Sequence, residues 1–172
     1  VYLEAVAVSG KLYEARWNLA LVQLATGTYE EGWSHYRYRP SANRSRHILP
    51  EATLPSSLFG HRIVLEGEQG VGDELFFLRF VPALMARGAV VSYVGDDRLS
   101  KITARALPGL NDRASLSGSG HPEAGISIAD LPYLLASSEV PASLRVMPLE
   151  VHLASVRQRL QSIGPPPYTG FT

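Results

Sequence analysis

The sequence predicts an α/β fold: a parallel β-sheet with helices on both faces, preceded by an α-helical hairpin. Three observations predict it. Between residues 11 and 39, apolar residues recur at three- and four-residue steps, the period of an amphipathic helix. From Arg62 onward, short apolar runs alternate with helix-length segments, the pattern of parallel strands joined by helical crossovers. The composition is globular, 45% apolar and 19% charged over 172 residues.

In the first helix of the hairpin, Leu12, Ala15, Leu19, Val22 and Ala25 share a face, and Trp17 and Leu21 widen it. Gly27 is a natural stop and Thr28 a natural N-cap, with Glu31 at capping-box distance. The second helix carries Tyr29, Gly32, Trp33 and Tyr36. Gly32 costs roughly 1 kcal/mol against Ala in an isolated helix, so a helix is expected to pack closely over it. Residues 40–61 are polar and proline-bearing and are expected to connect. "RIVLEGE" reads as a first strand, "DELFFLRFVPALMARG" as a helix and "AVVSYVG" as a second strand. "DRLSKITARAL" follows as a helix, "DRASL" as a weak third strand, and "AGISIADLPYLLASS" as a fourth strand with a loop or short helix. "LEVHLASVRQRLQSIG" closes as a helix with Leu149, Leu153, Val156, Leu160 and Ile163 on one face. The terminal "GPPPYTGFT" reads as a stiff linker entering a strand. With Val1 at the start, it predicts a fragment of a longer protein.

Several functions are disfavoured by composition. Lys+Arg and Asp+Glu are 16 each, so the basic excess of a phosphate-reading nucleic-acid binder is missing. No cysteine is present, which excludes disulfide scaffolds, Cys-based zinc sites and thiol nucleophiles. No apolar run reaches membrane-spanning length and no signal peptide is visible; a cytoplasmic location is expected. His35, His47, His61, His121 and His152 do not pair at metal-ligand spacing, so no metal is expected. Glu66, Glu68, Asp73 and Glu74 read first as a solvated acidic rim and second as a cation site; Arg37, Arg39, Arg44 and Arg46 read first as a solvated face or a domain contact and second as a site for an anionic ligand. Trp17, Trp33, Tyr36 and Tyr38 read first as hairpin packing and second as a peptide-binding groove.

The candidate site is "EGEQGVGDE", residues 66–74, between the first strand and its helix. Open parallel sheets bind ligands at the carboxyl ends of their strands. Gly67, Gly70 and Gly72 permit positive φ and close backbone approach. Asp73 falls near the helix N-terminus, where a carboxylate caps the helix or a phosphate is held nearby. The spacing is G-x-x-G-x-G rather than the dinucleotide fingerprint. The same turn also occurs with no active role.

Two resemblances add to this reading. "NLALVQLATGTYEEGWSHYR" resembles a tetratricopeptide repeat in Ala20, Gly27, Tyr29, Gly32 and Tyr36. The repeat's closing proline is absent at its usual place, though Pro40 is near. Since arrays normally need about three repeats, this one must lean on something upstream or on the domain that follows. "EGEQGVGDELFFLRFVPALMARGA" resembles the first βα unit of heptosyltransferase-type (glycosyltransferase family 9-like) GT-B enzymes, and especially relatives in which tetratricopeptide repeats precede that unit. The matching residues are Gln69, Gly70, Gly72, Asp73, Arg79, Phe80, Pro82 and Ala86 to Ala89. "LPGLNDR" and "IADLPYLLAS" match further along.

The resemblance implies a repeat hairpin at 1–39, a connector at 40–61, a Rossmann-like acceptor-binding domain at 62–164, and at 165–172 the linker and start of a missing donor domain. It implies Asp73 as the general base that deprotonates an acceptor hydroxyl, with Gln69, Gly70, Val71, Gly72 and Glu74 binding ligand around it. The donor is then a nucleotide-sugar bound mainly by the missing half, and no other cofactor is implied. The acceptor is a sugar, glycan, lipopolysaccharide or protein. A protein partner through the repeat is a further expectation, and so is inactivity of this chain alone. A non-catalytic interaction scaffold built from repeat and α/β domain is the alternative.

Overall fold

A computed structural model describes residues 2–8, 12–41, 52–111, 124–146 and 150–165. The expected third strand at 112–116, most of residues 40–51, Leu149 and the terminal linker lie outside the described residues.

The chain opens with three helices, α1 (Tyr2–Val8), α2 (Tyr13–Ala25) and α3 (Tyr29–Tyr36). α2 and α3 form the expected hairpin, and α1 packs on α2. Gly27 makes the turn with φ +81°, a conformation that L-residues with side chains disfavour. Thr28 is the N-cap of α3, but no side-chain capping bond forms; its hydroxyl lies 3.5 Å from that of Thr26 instead. Gly32 is where the helices touch. A Cβ there would lie 2.7 Å from Leu24 Cδ2 and 3.2 Å from the Leu24 amide nitrogen.

The sheet has three described strands, β1 (Arg62–Glu66), β2 (Val90–Val94) and β3 (Ala124–Ser127). Their order is β2-β1-β3, all parallel. Ile63, Val64 and Leu65 are buried in succession, the mark of a strand covered on both faces. The Val90 amide and the Val94 carbonyl face β1, whereas the Val91 carbonyl and the Tyr93 amide bond Asn111. Asn111 therefore bridges the outer edge of β2, in parallel with Ser92.

The expected single helix after β1 is interrupted. It runs as α4 (Val71–Phe77), a 3₁₀ turn at Leu78–Phe80, and α5 (Val81–Ala86). Pro82, a misfit in a helix interior, sits in the first turn of α5, where no amide hydrogen is needed. After β2 come a 3₁₀ turn (Asp97–Leu99) and α6 (Ser100–Ala106). After β3 come a 3₁₀ turn (Ile128–Asp130) and α7 (Leu131–Leu134), and α8 (Glu150–Ile163) lies last. The apolar face expected on α8 is only partly covered: Leu153 and Leu160 are half-buried, but Val156 is 49% and Ile163 77% exposed. No described helix is long and apolar enough to cross a membrane.

One core joins hairpin and sheet. Ala20, Trp33 and Tyr36 belong to the same buried cluster as Leu65, Phe77, Phe80 and Ile128. The Trp33 ring packs edge-on against Phe77 and Phe80, with centroids 6.3 and 5.9 Å away. The end of the connector is strapped down as well. The Arg87 guanidinium donates to the carbonyls of Leu54 at 2.9 Å and Leu135 at 2.9 Å, and the Leu58 amide donates to the Arg87 carbonyl at 2.6 Å.

Replacing Gly32 by Ala is expected to lower unfolding free energy by about 1–3 kcal/mol in urea titration, because the crowding at Leu24 outweighs the better helix propensity. An unchanged or raised midpoint would contradict the close packing of α2 on α3.

Candidate functional site

Residues 67–70 leave the carboxyl end of β1, the central described strand, and enter α4. Two buried polar networks frame this loop, and they take up Glu68 and Glu74, two acids of the expected solvated rim.

The first is built on Arg39, which is 1% exposed. Its Nε donates to Glu68 Oε1 at 2.7 Å, and its Nη2 makes a second, short bond to Glu68 Oε2. Nη1 donates to Asp130 Oδ1 at 2.6 Å, and Nη2 lies 3.2 Å from the Ser127 hydroxyl, which itself donates to Glu68. The fork geometry of guanidinium suits two carboxylates on two sides. Burial alone would raise the Glu68 carboxyl. The hydrogen bonds and charge of Arg39, with those from Ser127 and Ser41, outweigh it and bring the pKa from 4.5 to about 2. Arg39 is likewise held above its ordinary value, against its own burial, by Glu68 and Asp130.

The second network is built on Glu74, 6% exposed. Its Oε2 accepts a short bond from the Tyr93 hydroxyl and one of 2.9 Å from the Asp96 amide. Burial and then this hydrogen bond push the Tyr93 hydroxyl above its usual pKa. Two glycines make room: a Cβ on Gly67 would lie 2.8 Å from the Glu74 carboxyl, and one on Gly95 would overlap the Tyr93 hydroxyl.

These facts place each expected site residue. Gln69 is exposed, and it rather than a glycine adopts positive φ, +71°. Its Nε2 donates to the Tyr36 hydroxyl at 3.2 Å, so the hairpin holds the loop. Gly70 is the N-cap of α4, and its amide lies 3.3 Å from Asp73 Oδ2. Val71 is half-buried against the core. Gly72 is exposed, and a Cβ there meets nothing within 4 Å. Asp73 is exposed and has no ion pair among the described residues. Glu74, expected on the ligand side, turns inward to the second network. The acidic rim is therefore divided: Glu68 and Glu74 serve buried networks, and Asp73 faces out. Among the described basic residues Arg39 and Arg37 are both domain contacts, Arg39 through Asp130 and Arg37 with its guanidinium 4.6 Å from the Tyr133 ring centroid; Arg44 and Arg46 lie outside the described residues.

A pocket of about 380 Å³ opens beside Asp73, lined by Leu24, Tyr29, Trp33 and Tyr36 of the hairpin, by Phe76 and Phe77 of α4, and by Val140. Its size is within the range of small-molecule sites. Comparison with family models, curated proteins and solved structures finds no match. The site is therefore read from its own chemistry. Among the described residues no group of His, Asp and Glu is placed to hold a metal ion. What the arrangement offers is one hydrogen-bond-accepting carboxylate, fixed at the first turn of a helix, beside an aromatic wall. Sequence reasoning did not find Ser127, Asp130 or Tyr93. Their only signal was position, since each lies within or just after a strand.

Arg39→Met strands two buried carboxylates and is expected to cost about 3–5 kcal/mol of stability at pH 7. Glu68 titrates near 2 when folded and near 4.5 when unfolded, so its contribution is full above 4.5 and fades as pH falls toward 2. That contribution is about 3 kcal/mol. Urea titrations from pH 7 to pH 2.5 are expected to show wild type and variant converging in acid; a constant gap would contradict the pairing.

Proposed function

We propose that this chain is the acceptor-binding half of a GT-B glycosyltransferase-like protein that moves a sugar from a nucleotide-sugar to a glycan, lipopolysaccharide or protein acceptor. The carrying observation is Asp73: an exposed carboxylate with no ion pair among the described residues, just beyond the carboxyl end of the central described strand, on the rim of a pocket. Parallel α/β sheets place their ligands at this edge. The strand order β2-β1-β3 and the parallel bridge at Asn111 are also compatible with a Rossmann-like half. In this reading Asp73 accepts the proton of an acceptor hydroxyl while that oxygen attacks the anomeric carbon. The bond from that carbon to the nucleoside diphosphate breaks, and the diphosphate leaves with the bonding pair. The donor binds residues outside this half.

Asp73 also caps α4, and in this reading the two roles are divided between its two oxygens. The Gly70 amide contact is 3.3 Å long and uses one oxygen, Oδ2. The second reading, an interaction scaffold, draws support from the exposed Tyr13, Leu21 and Val22 on α2.

In the protein that also carries the donor half, Asp73→Asn is expected to lower kcat by about 10²–10⁴-fold with little change in donor KM. Steady-state kinetics with unchanged kcat would remove the base role and favour the scaffold.

A further inference from the structure

Taking the transferase reading as its basis, we infer that the hairpin is part of the acceptor site: the pocket between α3 and α4 binds one neutral pyranose ring, with a ring hydroxyl on Asp73. The pocket cannot form without both units, since Tyr29 and Trp33 come from the hairpin and Asp73 and Phe76 from α4. Its inner aromatics are already committed to one another. Trp33 meets Tyr36 edge-on at 5.5 Å, and Phe76 meets Phe77 at 5.1 Å with ring planes at 89°. Trp33, Tyr36 and Phe77 are buried, so the accessible wall is provided by the half-buried Tyr29, Phe76, Leu24 and Val140.

Such a wall mixes aliphatic and aromatic surface and does not enclose a point. A cation gains from ring faces and nothing from Leu24 or Val140. The apolar C–H face of a pyranose gains dispersion contact from all four. Its hydroxyl edge then meets Asp73, the acidic acceptor among the described lining residues. A wholly apolar ligand would cover that carboxylate and offer it no donor of its own.

Tryptophan fluorescence, which reports Trp17 and Trp33, tests this with methyl glycosides of glucose, galactose, mannose and N-acetylglucosamine. At least one glycoside is expected to give a saturable change with Kd on the order of millimolar. Tyr29→Ala and Val140→Ser, checked for unchanged thermal unfolding, are each expected to weaken it about fivefold. The inference fails if no glycoside saturates, if tetramethylammonium or an unglycosylated serine peptide saturates instead, or if both variants bind like wild type. Failure of the underlying reading looks different. Glycoside binding that depends on Tyr29, together with turnover indifferent to Asp73, sinks the base role and leaves the pocket standing.

Discussion

The buried guanidinium of Arg39 is the constraint on which the rest of the structure depends. It lies just past α3, yet its partners come from the loop after β1 and from the turn after β3. Removing an arginine and two carboxylates from water is expensive, and only good geometry with saturated hydrogen bonds offsets it. That geometry requires the hairpin, β1 and β3 to hold one relative position. The aromatic contacts of Trp33 with Phe77 and Phe80 then fill the apolar space between the same elements. Apolar packing supplies the attraction, and the ion network fixes the registry.

The loop carrying the candidate site inherits its shape from this arrangement. Glu68 is pulled toward Arg39 and Glu74 toward Tyr93, so the chain between them spans two fixed points. Gln69 takes left-handed backbone in that span, a conformation costing on the order of 1 kcal/mol or more for a non-glycine residue, and Tyr36 holds its side chain. Asp73 is left as the outward-facing acid. Three acids close in sequence thus have three environments, and a hydrophobic pattern cannot distinguish them.

Much of the architecture was legible because it rests on local rules. The hairpin with its turn at Gly27, the first two strands and the fourth, and the helices between them follow from periodicity and breakers. The unbroken helix from Asp73 to Gly88 was not correct, because Pro82 restarts the helix after a 3₁₀ turn. The capping box at Thr28 fitted the sequence and did not form, since the hydroxyl lies beside Thr26 instead. At the site, the sequence identified the loop and the exposed position of Asp73 but misjudged its glycines. Gly67 is required by the Glu74 carboxyl, seven residues on, and Gly95 by Tyr93 and Glu74 together. Those requirements are tertiary: they exist only once strands are side by side. Glu68 with Asp130, far apart in sequence, share a cation for the same reason.

The central claim is that hairpin and sheet are one cooperative unit held by Arg39 and the aromatic seam. Native-state hydrogen exchange tests it most directly, through the amides of Leu19 to Leu24 in α2 and of Ile63 to Leu65 in β1. One unit predicts that both groups exchange through the same global opening, with equal free energies and equal denaturant dependence. Hairpin amides that open at a distinctly lower free energy, with the strand still protected, would contradict it.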